Sequence, residues 1–122
     1  MHPTDARPQV EAELQHAQSA RSAGDEGRAR VCARRAAGAA ARSYLSCLGL
    51  PAGPSVMDNL HLLSSRADLP ARIQTGIQRL LLRVDADYRL PDEIDLIQEA
   101  RLVCAHLLEN TPCSPGEPHP HA

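Results

Sequence analysis

Small residues recur at spacings of three and four through residues 25–48, and this pattern constrains the fold more than any other feature of the chain. The series consists of Ala29, Cys32, Ala33, Ala36, Ala40, Tyr44 and then Cys47 or Leu48. Residues three and four apart lie on one face of an α-helix. The segment therefore predicts a helix with a face of small side chains, on which a neighbouring helix can pack at a short interaxial distance.

The other apolar patterns also have the period of a helix, and none alternates for long enough to indicate a strand. Gly24 and Gly49 interrupt the pattern on either side of the small-residue helix, and Ser55 is placed to cap the helix that follows. Pro91 precedes the expected start of the last helix. The predicted helices cover about residues 9–22, 25–48, 56–65, 70–88 and 92–109.

We therefore predict an all-α fold, a four- to five-helix up-and-down bundle that forms a single domain over residues 1–110. The chain contains no Phe or Trp and only two Tyr, which disfavours a sheet because strands are usually rich in aromatic and β-branched residues. Residues 111–122 include four prolines and are expected to form a disordered tail.

Composition and charge exclude several classes of function. The formal net charge of −2 gives no general attraction to nucleic acid or to an anionic membrane. No apolar run approaches the roughly 20 residues that span a bilayer, and the first residues do not resemble a signal peptide, so a cytoplasmic protein without membrane contact is expected.

Metal and cofactor sites are not expected. The four cysteines include no close pair of the kind that binds zinc, and they are interpreted as three small core residues and one thiol in the tail. His119 and His121 are interpreted as tail residues rather than metal ligands. The sequence contains neither a glycine-rich phosphate loop nor a nucleophile elbow.

Three elements occur in order along the chain: an alanine-rich helix at residues 27–45, a His-Leu-Leu element at 61–63, and a Val-Asp-Ala-Asp-Tyr-Arg-Leu-Pro segment at 84–91. In these elements, residues 24–108 resemble the HEPN superfamily of helical-bundle domains. The resemblance implies a HEPN-like bundle that forms a homodimer or binds a nucleotidyltransferase or an antitoxin. It also makes RNA a possible ligand.

Ribonuclease members of this superfamily use an Arg and a His four to six residues apart near the start of the last helix, paired across a homodimer. Arg101 and His106 are similar to that motif. The resemblance implies His106 as general acid or base and Arg101 as the group that stabilises phosphate charge. Five residues turn a helix by about 140° beyond one full revolution, so the two side chains do not share a face, and His106 is expected to face solvent in a monomer.

A second set of candidate residues lies on the small-residue helix. Arg28, Arg35 and Arg42 recur at intervals of seven and form one ridge, with Arg34 beside it. The ridge is interpreted as a surface that follows a phosphate backbone, or as one half of salt bridges to the acidic residues of the last turn and helix. Those salt bridges would form within the bundle or across a dimer, and we favour them over the phosphate surface. Those acidic residues are Asp85, Asp87, Asp92, Glu93, Asp95 and Glu99.

His61 lies in the short third helix, and we expect it to be packed and hydrogen-bonded rather than to bind a ligand.

Three hypotheses for function follow. The first is a non-catalytic HEPN-like binding module that acts as a homodimer, or as partner of a nucleotidyltransferase-type or toxin–antitoxin protein, through its small-residue and charged faces. The second is a metal-independent endoribonuclease that uses Arg101 and His106. The third is a helical structural protein for which the family likeness is accidental.

Overall fold

The computed structural model describes residues 6–82 and 94–110, which form five helices and no strand. The helices are α1 (Arg7–Ser22), α2 (Glu26–Cys47), α3 (Val56–Ser64), α4 (Ala71–Leu81) and α5 (Leu96–Glu109). The all-helical fold predicted from the sequence is confirmed. The predicted tail at 111–122 and the family-like segment at 84–91 both lie outside the described residues.

Helix α2 lies at the centre of the bundle and packs against α1, α3 and α5, while α4 packs against α3 and α5. Its small-residue face is buried at Ala29, Cys32, Ala33, Ala36, Ala37, Ala40 and Ala41. Small side chains let the neighbouring helices approach closely, as the spacing predicts. That face is therefore occupied within the chain and is not available to a second protein.

Larger aliphatic side chains fill the space between α2 and the other helices. The largest fully buried residues are Leu45, Leu60, Leu63, Ile77, Leu80, Leu96, Val103 and Leu107, with Cys32 and Cys104. Each side chain of this size stabilises the fold by about 1.5–3 kcal/mol when it is fully buried. The core is thus aliphatic, and Tyr44 is the aromatic residue that it includes among the described residues.

Local signals define several helix ends as predicted. Gly24 and Gly49 have φ values of 82° and 75°, a left-handed conformation that only glycine adopts without strain. Asp25 caps α2 by accepting a hydrogen bond from the Arg28 amide at 3.0 Å. Ser55 caps α3 by accepting one from the Asp58 amide at 3.1 Å.

Two predicted boundaries are wrong. Helix α4 ends at Leu81 rather than continuing to residue 88, because Leu82 is extended with ψ of 134°. Helix α5 begins at Leu96 rather than near residue 92, because the Asp95 carboxylate accepts hydrogen bonds from the amides of Ile97 and Gln98 and so acts as the N-cap.

Candidate functional site

The arginine ridge of α2 consists of Arg28, Arg35 and Arg42, and all three side chains are exposed. Seven residues of helix advance about 10.5 Å, so the ridge extends about 21 Å along the bundle surface. No hydrogen bond or ion pair joins a ridge guanidinium to any of residues 6–82 and 94–110. The ridge predicted from the sequence is therefore present and unpaired within the described chain.

The acidic residues of α5 bind arginines of other helices. Asp95 lies 2.9 Å from Arg21 of α1. The Glu99 carboxylate, with only 6% of its side chain exposed, receives hydrogen bonds at 2.9 and 3.2 Å from Arg72 and at 2.7 Å from Arg79. Within the described residues, Asp95 and Glu99 thus pair with arginines of α1 and α4 and not with the α2 ridge. Pairing of the ridge across a dimer stays a prediction, and the other four predicted acids lie outside the described residues.

These ion pairs alter the pKa of both carboxyl groups. Burial raises the pKa of Glu99, but the hydrogen bonds from Arg72 and Arg79 outweigh that effect and leave the pKa below its usual value. Burial and the Arg21 hydrogen bond oppose each other in the same way at Asp95, where the pKa is also lowered. Both carboxylates are consequently held in the charged form as structural anions.

Arg34 has a structural role and does not belong to the exposed ridge. Its Nε donates to the Leu80 carbonyl at 2.8 Å, and a terminal nitrogen donates to the Leu82 carbonyl at 2.7 Å. The side chain therefore satisfies carbonyl groups at the end of α4, where the helix offers no amide partners. Burial lowers the pKa of its guanidinium. Arg34 was predicted as a binding residue, but two of its guanidinium nitrogens are hydrogen-bonded to α4, whereas Arg35 makes no such bond to the described residues.

Arg101 and His106 lie on different sides of α5. Arg101 is exposed and lines a groove of about 350 Å³ between α1 and α5. His106 does not line that groove, and it is half-buried rather than solvent-facing, with its Nδ1 3.4 Å from the Asn110 amide nitrogen. A ribonuclease site built from this pair would therefore need a second copy of the chain to bring the two groups together.

His61 is exposed on α3, contrary to the expectation that it is packed and hydrogen-bonded. Its backbone carbonyl accepts a hydrogen bond from Ser64, but its ring makes none to the described residues. The apolar face of α3 points elsewhere, through Leu60 and Leu63, which are fully buried.

A polar cavity of about 670 Å³ lies between α1, α2 and the start of α3. Arg35 and Arg42 line it from α2, Glu13 lines it from α1, and Ser55 and Asn59 line it from the α3 end. A volume of this size is typical of sites for small-molecule ligands. The cavity thus brings two arginines of the ridge together with a carboxylate from a different helix.

The acid and the amide of this cavity are both incompletely hydrogen-bonded. Glu13 Oε1 is buried and has no hydrogen-bond partner. Asn59 is only 4% exposed, and its Oδ1 accepts a hydrogen bond from the Gly53 amide at 2.6 Å, which fixes the loop before α3. Its Nδ2 donates to none of the described residues. Buried polar atoms are normally paired, so Glu13 Oε1 is the atom that marks the cavity as unusual among the described residues.

Close packing of α2 on α3 forms the floor of the cavity. A Cβ atom placed on Gly38 would lie 2.7 Å from Val56 Cγ1, closer than real Cβ atoms approach a neighbour. Only glycine therefore allows the start of α3 to lie against α2 between Arg35 and Arg42. Glu13 and Asn59 were not predicted as site residues, because a single Glu and a single Asn on amphipathic helices form no distinguishing sequence pattern.

The cysteines conform in part to expectation. Cys32 and Cys104 are buried free thiols, and burial raises the pKa of Cys104 to about 12. Cys47, at the end of α2, is half-buried and disulfide-bonded, so it departs from the predicted core thiol.

No cluster of three or more metal-ligating side chains occurs in the part of the chain that the structure describes. Among those same residues, no helix combines the length and apolarity needed to cross a bilayer. Comparison of the chain with protein-family models, with curated proteins and with solved structures finds no match in any of the three.

Proposed function

We propose that this chain is a non-catalytic, HEPN-like binding module that holds an acidic partner protein through the arginine ridge of α2. The observation that supports the proposal is that Arg28, Arg35 and Arg42 are exposed along about 21 Å of one helix and pair with none of residues 6–82 and 94–110. Exposed charge of one sign attracts a surface of the opposite sign and accelerates association with it. The ridge is thus suited to recruit a partner in the cytoplasm.

The partner is proposed to bind by charge and not by helix packing. The small-residue face of α2, which the sequence also offered as an interface, is buried against α1, α3 and α5. Between its exposed end residues Glu26, Gly27 and Ser46, α2 leaves exposed the three ridge arginines and Val31. Val31 lies between Arg28 and Arg35 and is 44% exposed.

A partner of different sequence fits the ridge better than a second copy of the chain. In a two-fold symmetric dimer centred on the ridge, each arginine would face the same residue set of the other protomer. Opposed like charges destabilise such a contact. A nucleotidyltransferase-type protein or an antitoxin with an acidic surface, as the resemblance implies, avoids this repulsion, whereas a homodimer would have to use another face.

Protein is also a better occupant than single-stranded RNA. Proteins that bind single strands usually interleave basic residues with aromatic side chains that stack on bases. The one aromatic residue of α2, Tyr44, is 6% exposed and belongs to the core. The ridge therefore offers charge without a stacking surface.

The test uses a fluorescent peptide rich in Asp and Glu as a model of an acidic protein surface. The wild-type chain should bind it with an affinity that falls as salt rises, because exposed charges are screened over about 10 Å at 0.1 M ionic strength. Reversing the ridge in Arg28→Glu/Arg35→Glu/Arg42→Glu should abolish binding in a fluorescence anisotropy titration.

The matched control compares two single reversals of an exposed arginine, Arg35→Glu on the ridge and Arg101→Glu on α5, which change the net charge equally. Arg35→Glu should weaken binding, whereas Arg101→Glu should retain binding close to that of the wild type. Equal losses in the two single variants would show that net charge alone determines binding, and the proposal would then be wrong. A single-stranded RNA of the same charge that bound more tightly than the peptide would contradict the choice of partner.

A further inference from the structure

Glu13 is a half-buried residue whose carboxylate oxygen Oε1 accepts no hydrogen bond from the described residues. A buried oxygen without a donor loses its hydration and gains nothing in return. The final torsion of a glutamate side chain is broad and roughly two-fold, so rotation of the carboxylate can turn either oxygen towards a group that enters the cavity. A donor on a ligand, above all a cationic one, would satisfy this carboxylate.

Arg35 and Arg42 line the same cavity from α2 and are exposed, so they lie towards its opening. They are unpaired among residues 6–82 and 94–110. Each guanidinium can bind one carboxylate or phosphate through two parallel hydrogen bonds. The cavity therefore has a positive opening and a negative group on its α1 wall.

Asn59 adds a neutral donor at the α3 wall. It is more than nine-tenths buried, its oxygen is occupied by the Gly53 amide, and its Nδ2 remains without a partner in the described chain. The hydrogen bond from Gly53 therefore fixes the position of the Asn59 amide at this wall.

We propose that the cavity between α1, α2 and the start of α3 binds a small amino-acid-type ligand that has one ammonium and two anionic groups. The ammonium pairs with Glu13, and the anionic groups pair with Arg35 and Arg42. Acidic amino acids and phosphorylated amino acids share this chemistry. Such a ligand matches the two positive charges and the one negative charge of the lining, and it fits within about 670 Å³.

This site goes beyond the binding of a partner protein, although Arg35 and Arg42 belong to both surfaces. A ligand in the cavity neutralises two of the three ridge arginines. The ligand and an acidic partner should therefore compete, which makes the small molecule a negative regulator of partner binding.

Isothermal titration calorimetry of the full chain with four probes tests the site. L-glutamate and O-phospho-L-serine should bind, and the stronger of the two identifies the second anionic group as carboxylate or phosphate. Glutarate, which lacks the ammonium, and L-glutamine, which lacks the second carboxylate, should each bind at least about tenfold more weakly than L-glutamate.

Three variants assign the contacts. Glu13→Gln should remove the preference for L-glutamate over glutarate, and Arg42→Gln should weaken both ligands. Arg28→Gln, which changes a ridge arginine outside the cavity, should leave ligand affinity unchanged. A circular-dichroism melt confirms that each variant is folded, and Glu13→Asp, which keeps the charge, should retain part of the preference.

The site is disproved if none of the probes binds at millimolar concentration, or if Glu13→Gln discriminates glutamate from glutarate as well as the wild type does. Failure of the site is distinguishable from failure of the partner proposal. Glu13→Gln should leave acidic-peptide binding intact, whereas Arg28→Glu should weaken the peptide and spare the amino acid.

Discussion

Two helices have the same local arrangement, in which two arginines seven residues apart flank a glycine, but the bundle uses the two arrangements differently. On α4, Arg72 and Arg79 flank Gly76, and both side chains bind the buried carboxylate of Glu99. A Cβ on Gly76 would lie 2.9 Å from Val103 Cγ2 and 3.2 Å from Glu99 Oε1, so the glycine makes room for both the apolar side chain and the acid. The charges of this seam are satisfied within the fold.

On α2, Arg35 and Arg42 flank Gly38, but the glycine makes room for the apolar Val56. The nearest acid of the cavity, Glu13, forms no ion pair with either arginine. The spacing of two arginines along a helix therefore does not determine whether they form ion pairs within the fold. Where a neighbouring helix places a carboxylate beside the glycine, the two arginines form ion pairs that hold the helices together. Where no carboxylate is placed there, the two arginines remain available to bind a ligand.

The largest expected difference between the two regions is in stability. Arg72→Met/Arg79→Met should lower the free energy of unfolding by about 1–3 kcal/mol, because the Glu99 carboxylate would lose both counter-charges, which are themselves partly exposed and screened by solvent. The matched variant Arg35→Met/Arg42→Met should change it by about 0.5 kcal/mol or less, as at other exposed positions. Urea denaturation at neutral pH measures both. Similar losses in the two variants would contradict the comparison.

Substitutions at Gly38 and Gly76, the glycines between the two arginine pairs, should have effects of intermediate size on stability. Gly38→Ala places a methyl group 2.7 Å from Val56 Cγ1 and should cost about 1–2 kcal/mol, since overpacking exceeds the gain in helix propensity. Adding Val56→Ala should restore most of that stability. At Gly76→Ala, trimming Val103 should restore less, because Glu99 still crowds the new methyl. Thermal denaturation of both double-mutant cycles measures the coupling, and equal rescue at the two sites would count against it.

The smallest expected effect concerns pH. The pKa of Glu99 is lowered in the folded chain, so its ion pairs contribute stability above the usual glutamate pKa of about 4.3 and lose it as pH falls through the folded value. Glu99→Gln should therefore be less stable than wild type by about 1 kcal/mol at pH 7, with the gap closing at acid pH.

The sign of that effect depends on the two arginines. In the Arg72→Met/Arg79→Met background, burial acts on Glu99 without the hydrogen bonds that oppose it, so Glu99→Gln should stabilise the chain at pH 7. Urea denaturation over a pH series distinguishes the two signs. A loss of the same size in both backgrounds would mean that Arg72 and Arg79 do not set the charge of Glu99.

Predictions that depend on neighbours in sequence succeeded. The periodic small residues place α2, Ser55 caps α3, and Gly49 follows the end of α2, because each of these signals acts within one or two turns. The ridge of Arg28, Arg35 and Arg42 follows from the same helical period. The period does not fix its partners: within the described residues, Asp95 and Glu99 bind other arginines.

Predictions that depend on distant contacts failed. Arg34 reaches the end of α4, some 46 to 48 positions along the chain, and the sequence gives no sign that this arginine differs from Arg35 beside it. Glu99 was expected to serve α2, but it binds α4. Glu13 and Asn59 acquire significance only because α1 and α3 converge on the same side of α2.

The sequence by itself determined that this chain forms helices, which face of α2 is buried, and that an arginine ridge follows the opposite face. These properties depend on the 3.6-residue period and on the size of individual side chains, both of which are local. The tertiary structure alone decided which arginines are paired. An ion pair needs two groups within about 4 Å, and only the packing of distant helices brings Glu99 that close to Arg72 and Arg79. The same packing places Arg35 and Arg42 in one cavity with Glu13 but leaves them without an ion pair to the described residues.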